Sequence, residues 1–100
     1  MDYQVTLSRS ARFDIRDIVR YISIDDPNRA LHFGRLLIQH AKGLAQFPER
    51  GRVVPEFDDD SIRELIVRTY RIVYRLNHTK RSVEIIRFWH AARGMPQFTN

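Results

Sequence analysis

Seven residues between positions 61 and 100 carry side chains able to do chemistry: Arg63, Arg71, Arg75, Arg87, Trp89, His90 and Arg93. A guanidinium is planar, permanently charged and forked, so it matches carboxylates, phosphates and stacked bases better than an ammonium does. The imidazole of His90 titrates near neutrality and is the natural candidate for moving a proton. Sitting between Trp89 and Ala91, it reads equally as a packed, hydrogen-bonded histidine. Trp89 fits either a core position or an exposed stacking platform. Turned inward, Arg71, Arg75 and Arg87 pair across strands with Glu64 or Glu84, and Arg63 and Arg93 tie the sheet to the aspartates at 58–60. Turned outward, the set forms a basic face for an anionic partner, either nucleic acid or an acidic protein. The outward reading is preferred.

Positioning them falls to the stretch 62–93. Tyr70, Ile72, Tyr74 and Leu76 alternate with Arg71, Val73 and Arg75, the period of a strand with two unlike faces. Residues 77–82 supply polar turn chemistry, and 83–90 resume a β-branched and aromatic run. Ile62–Val67 is a third such run, separated from the second by a residue or two. These predict a three-stranded antiparallel meander, sharply turned at Arg68 and Thr69 and more loosely at 77–82. Tyr70 and Tyr74 read as core. Which face of the last strand is buried stays open, because Val83/Ile85 and Ile86/Phe88 make both phases apolar.

Upstream, the alternation at 3–7 predicts a first strand, and Ser8 or Ser10 offers a helix N-cap. Ala11, Ile15, Ile18, Val19 and Ile22 fall on one helix face, with Arg12, Arg16 and Arg20 on the polar flank. Asp26 and Pro27 start a second helix, predicted to run to about Gln46. Its stripe of Ala30, Phe33, Leu37, Ala41 and Leu44 is widened by Leu31, Leu36 and Ile38, which predicts cover on two sides. The segment 47–52 is turn chemistry, and 53–61 an irregular crossing. Three consecutive carboxylates at 58–60 cannot converge on one ion, so no metal site is expected there. The fold class predicted is α+β: an N-terminal strand, an αα-hairpin, then the meander, in a single domain spanning 1–100. Where the first strand joins the sheet is not determined.

The charge is lopsided. Residues 1–60 hold nine Lys or Arg against ten Asp or Glu, whereas 61–100 hold eight against two, and 15 of the 17 basic residues are Arg. The hydrophobic fraction of 43% is that of a globular chain with a core. No apolar run approaches membrane-helix length, no signal-peptide pattern opens the chain, and there is no cysteine; a cytoplasmic location is expected. No Gly-rich phosphate loop, Ser-His-Asp set, paired carboxylates or histidine cluster is visible, so neither cofactor nor metal is expected.

Taken in order, Pro48-Glu49-Arg50-Gly51-Arg52, Val54-Pro55-Glu56, Ile62-Arg63-Glu64-Leu65, Tyr70-Arg71-Ile72-Val73-Tyr74-Arg75 and His90-Ala91-Ala92-Arg93 resemble the RelE/ParE superfamily of bacterial type II toxins. The likeness spans nearly the whole chain, and the Asp26-Pro27 helix start fits it. It implies a small toxin neutralised by a cognate antitoxin that wraps an extended and helical segment over it. One branch of the superfamily cleaves mRNA in the ribosomal A site; the other poisons DNA gyrase.

Attack of a ribose 2′-OH on its phosphodiester needs a base, an acid for the leaving oxygen and cations around the developing charge. The nuclease branch is expected to use lysines before the Y-R-x-V-Y strand, the Arg of that motif, a later Arg and a C-terminal Tyr. Arg71 matches the first arginine and Arg93 could match the second. Where the lysines belong stand Ile62 and Glu64, and the tail has Phe98 and no tyrosine. A carboxylate repels a phosphodiester, and Phe has no proton to exchange. The resemblance is therefore read as closer to the ParE branch: a gyrase inhibitor with no catalytic residues. Its partner-binding set is Arg63, Arg71, Arg75, Arg87, Trp89 and Arg93. The alternatives are a ribosome-dependent mRNA interferase using Arg71, His90 and Arg93, and a non-toxic binding module of the same fold.

Overall fold

The computed structural model describes residues 2–94. Its order is β1 (Gln4–Leu7), α1 (Arg9–Ser23), α2 (Pro27–Gly43), β2 (Arg52–Val53), β3 (Ile62–Val67), β4 (Tyr70–Asn77) and β5 (Ser82–His90), closed by a 3-10 turn at Ala91–Arg93. The predicted meander is present as β3, β4 and β5, in antiparallel register from Val67 opposite Tyr70 to Asn77 opposite Ser82. Its tight turn places Arg68 in the left-handed region at φ 55°.

Two strands extend the meander into a five-stranded sheet of order β1-β5-β4-β3-β2. β1 lies parallel to β5, Gln4 opposite Ser82 and Leu7 opposite Ile85. The segment expected to be irregular from Val53 begins instead with β2, antiparallel to Glu64 and Arg63. Its continuation crosses the face away from the helices, where Val54, Ile62 and Val73 form a small second core with Phe57 and Ile86.

The hairpin covers the other face. Ser8 caps α1 by accepting the Ala11 N–H at 3.0 Å, and Asp26 caps α2 by accepting that of Arg29 at 3.1 Å. Ala11, Ile18, Leu37, Ala41 and Leu44 pack on Ile72, Tyr74, Leu76, Val83, Ile85 and Phe88. α2 ends at Gly43, three residues short of the expected Gln46. The chain tightens there into i→i+3 bonds, Leu44 to Ala41, Ala45 to Lys42 and Gln46 to Gly43. The Ala45 carbonyl is diverted to the N–H of Tyr3 at 2.8 Å, and Pro48 could not have continued a helix. Leu31, expected within a two-sided cover, is half exposed.

β5 carries a bulge that resolves its undecided face. Val73 lies opposite Arg87, but Tyr74 lies opposite Ile85, so Ile86 is the extra residue. The phase flips there. Val83, Ile85 and Phe88 all face the helices, while Ile86 joins the second core. Beyond Ile85, where β1 stops, α1 takes over the edge of β5. Ser8 donates its N–H to Ile85 O at 2.9 Å and its hydroxyl to Ile86 O at 2.8 Å, and Asp14 accepts the Phe88 N–H at 3.0 Å. Among the described residues no helix is long and apolar enough to cross a membrane.

Candidate functional site

The alternation of β4 sends Arg71, Val73 and Arg75 to the face away from the helices, and the register sets Trp89 beside Arg71 there. At the centre of this face is Glu64, 1% exposed. Its Oε1 accepts from Arg71 Nε at 2.5 Å, and its Oε2 accepts from Arg52 Nε and Nη2 at 2.8 and 2.7 Å. Arg71 is itself 7% exposed and is used on all sides. Its Nη1 donates to Gly94 O at 3.2 Å, and its Nη2 lies 3.5 Å from Glu56 Oε2. The inward pairing of Arg71 with Glu64 is therefore what the fold contains. A carboxylate and a guanidinium so little exposed to water persist because each completes the other.

Trp89 donates its indole N–H to the same Gly94 carbonyl at 3.1 Å. The guanidinium carbons of Arg87 and Arg93 lie 4.7 and 5.9 Å from its ring centroid. Arg87 also forks onto Asp14 of α1, Nε to Oδ2 at 2.7 Å and Nη2 to Oδ1 at 2.8 Å. That hydrogen bond, partly opposed by burial, raises the Arg87 pKa. Its partner is Asp14, not the Glu64 or Glu84 expected from strand pairing. Arg75 is exposed and stands opposite Glu84. Its charge, after the hydrogen bonds from Ser61, helps to hold the exposed Asp59 carboxyl below its ordinary range.

Arg63 points elsewhere. Its Nη1 donates to the carbonyl of Gly51 at 2.9 Å and weakly to that of Glu49 at 3.4 Å, so it ties β3 to the 49–51 turn rather than to the aspartates at 58–60. His90 faces the helix side of the sheet. Its ring meets Tyr70 edge-on at 5.0 Å, and its Nδ1 accepts the Ala92 N–H at 3.1 Å. It borders a cleft of about 820 Å³ shared with Tyr21, Arg29, His32, Phe33 and Arg68. Arg71 and His90 therefore lie on opposite faces, whereas His90 and Arg93 line one cleft with Asp17, Tyr21 and Tyr70. Phe98 lies outside the described residues.

Arg52, Glu56 and Asp14 matter to this site and were not among the candidates read from sequence, and Tyr74 was read there only as core. Tyr74 is wholly buried; its hydroxyl donates to Pro48 O at 2.7 Å and accepts the Gly51 N–H at 3.0 Å. A Cβ on Gly51 would sit 2.6 Å from both Tyr74 Oη and Glu64 O. The spacing Pro48-x-x-Gly51-Arg52 thus has a mechanical reason. Pro48 and Gly51 receive the tyrosine, Gly51 leaves room for it, and Arg52 reaches Glu64. The available signal was the buried tyrosine's need for a hydrogen-bond partner.

As chemistry, this face offers anchored arginines around a buried carboxylate. Among the described residues no group of three or more His, Asp or Glu side chains is placed to hold a metal ion. The sequence profile of the family described as ParE toxin of type II toxin-antitoxin system, parDE, matches residues 5–95. No curated protein is matched by sequence. Among solved structures, a chain of the chromosomal ParDE toxin-antitoxin system from P. aeruginosa superposes with a TM-score of 0.71 at 20% identity, covering 88% of this chain and 95% of that one. A chain of the toxin-antitoxin complex RelBE2 from Mycobacterium tuberculosis gives 0.68 at 22% identity, covering 90% and 99%. A mutant of the E. coli toxin RelE in the free state gives 0.66 at 17% identity, covering 94% and 88%. At these identities the structural likeness speaks for the fold.

Proposed function

The chain belongs to the family of ParE toxins of type II toxin-antitoxin systems, and from that premise we propose that it arrests growth by binding DNA gyrase, not by cleaving message. The observation that carries this reading is Glu64. A nuclease needs free cations where the phosphorane charge develops, and loss of a general acid or base costs about 10²–10⁴ in rate. Here Arg71 is bound to a buried carboxylate, and His90 is on the other face of the sheet. Arginines held this way suit a protein surface better than a reacting phosphate.

We further propose a cognate antitoxin as partner. The helical hairpin leaves Phe13, Tyr21, Ile24 and Leu31 exposed, among Arg12, Arg16, Arg20 and Arg35. A shallow groove of about 430 Å³ runs between its helices, with Ile15, Val19, Leu31 and Ile38 on its walls and Arg35 and Lys42 at its rim. Apolar contact with a basic rim fits an acidic amphipathic segment, whose carboxylates would pair with the arginines.

The test expresses the chain alone and with its genetic neighbour, following growth, the DNA damage response and transcript ends. Growth arrest with damage signalling and intact transcripts, relieved by the neighbour, is the expected outcome. Codon-specific cuts without damage signalling would transfer the proposal to the ribosome. Indifferent growth would leave a non-toxic binding module.

A further inference from the structure

The cleft that His90 borders, about 820 Å³ between the start of α2 and the β3–β4 turn, has an apolar floor and a cationic rim. Ile22, Phe33, Leu36 and Tyr70 form the floor, half-buried and packed against the main core. Phe33 and Tyr70 meet there as a tilted ring pair with centroids 5.4 Å apart, and Tyr21, 75% exposed, stands at the edge. Arg29, His32 and Arg68, all exposed, supply the rim. From this arrangement we propose that the cleft binds a nucleoside polyphosphate, its base against the Phe33–Tyr70 rings and its phosphates between Arg29 and Arg68. A site of this kind does not depend on gyrase being the target.

Three features separate this cleft from an ordinary solvated surface. The first is pairing. On the far face Arg52 and Arg71 are held by Glu64, whereas among the described residues no side chain bonds the guanidinium of Arg29 or Arg68. Asp26, the one carboxylate lining the cleft, is engaged as the cap of α2, its Oδ1 accepting the Arg29 N–H at 3.1 Å. Two forked cations therefore face solvent unopposed, and that fork matches phosphate oxygens. The second feature is Arg68 itself. It sits at φ 55°, a left-handed conformation that glycine or asparagine adopts at less cost. The tight turn needs that backbone but not that side chain. The third is size and lining. The volume lies within the roughly 300–1,000 Å³ of small-molecule sites, and aromatic rings accept the face of any base. An acidic peptide would use the same arginines and leave the rings idle. The adjoining cleft of about 530 Å³ shares Tyr21, Tyr70 and His90, but there Asp14 and Asp17 offset Arg20 and Arg93. The phosphates therefore belong on the α2 side.

The experiment titrates ATP, ADP and inorganic tripolyphosphate into the full ¹⁵N-labelled chain, reading amide shifts and calorimetry together. ATP is expected to move Arg29, His32, Arg68 and Tyr70 while Glu64 and Val73 on the far face stay in place. ADP should bind more weakly, and tripolyphosphate about ten-fold more weakly than ATP, the stack being lost. R29A and R68G should each weaken ATP binding by about ten-fold, the size expected when hydrogen bonds to a charged group are removed. R68G also relieves the left-handed backbone, so its melting temperature should not fall, and lost binding there is not lost folding. F33L keeps apolar volume and removes the ring; it should weaken ATP and leave tripolyphosphate unchanged. Absence of ATP binding would overturn the assignment, as would ATP affinity unaltered in both R29A and R68G. Tripolyphosphate binding as tightly as ATP would overturn it too, since the rings would then contribute nothing. Tighter binding of hexaglutamate or of a short oligothymidylate, with the same shifts, would give the cleft to a polymer and equally overturn it.

Discussion

Glu64 and Tyr74 are the two residues on which the wiring of this face turns, and each carries a prediction. Replacing Glu64 by Ala leaves the buried Arg71 with only the half-exposed Glu56 carboxylate, 3.5 Å away, as counter-charge, at a cost approaching the roughly 3–5 kcal/mol of a buried pair broken on one side. Urea unfolding should show that loss for E64A and a smaller one for E64Q, which keeps an acceptor. Tyr74→Phe removes a donor from Pro48 and an acceptor from Gly51, at about 1–3 kcal/mol. Burial pushes the Tyr74 hydroxyl above its ordinary 10.0, with the Gly51 N–H pulling the other way. The folded state thus holds this proton more tightly than the unfolded chain does. That contribution is intact below pH 10 and is lost as pH rises through the elevated value. Stability of the native chain should therefore fall above pH 10, and Y74F should flatten that fall without abolishing it, since burial also raises Tyr70. An identical alkaline limb in Y74F would contradict the assignment. From sequence, both tyrosines were legible as core and Arg71 as a possible partner of Glu64. The hydroxyl's two partners were not, because they come from a turn 23 and 26 residues away.

At the scale of elements, the meander and both helix starts were written in local pattern: period 2 with polar breaks, and Ser8 and Asp26 before apolar stripes. Three features were not, and each depends on contacts distant in sequence. α2 gives way at Gly43 to i→i+3 bonding ahead of Pro48, and the Ala45 carbonyl there is taken up by Tyr3. β1 joins β5 in parallel through register, which no pattern at 3–7 encodes. The bulge at Ile86 changes phase inside a run that is apolar in both phases, so period counting could not find it. Asp14 shows what this edge is worth. It accepts the Phe88 N–H and both arms of the Arg87 fork. Asp14→Ala leaves that N–H without its acceptor and frees α1 from β5, at about 1–3 kcal/mol. Thermal melts should register the loss, and hydrogen exchange at Phe88 should accelerate more than at Ile72 in β4. Uniform acceleration across the sheet would mean that Asp14 does not act locally.

At the scale of the molecule, one face is covered by a hairpin that still exposes apolar side chains, and the other holds arginines already engaged. A partner whose carboxylates meet the hairpin arginines should lose affinity when Arg12, Arg16 and Arg20 are changed to Ala. Each exposed pair is worth about 0.2–1 kcal/mol and is screened by salt, so the triple variant should bind the neighbour's product more weakly and with a shallower salt dependence. Equal binding at all salt concentrations would remove the hairpin from that interface. Gyrase as the target is tested by titrating the purified chain into a supercoiling reaction of DNA gyrase on relaxed plasmid. Supercoiling is expected to be inhibited in proportion to added toxin, and the inhibition to survive R93A with at most a modest loss. Gyrase at full activity, with the same preparation cutting message on programmed ribosomes and R71A abolishing the cuts, would contradict it.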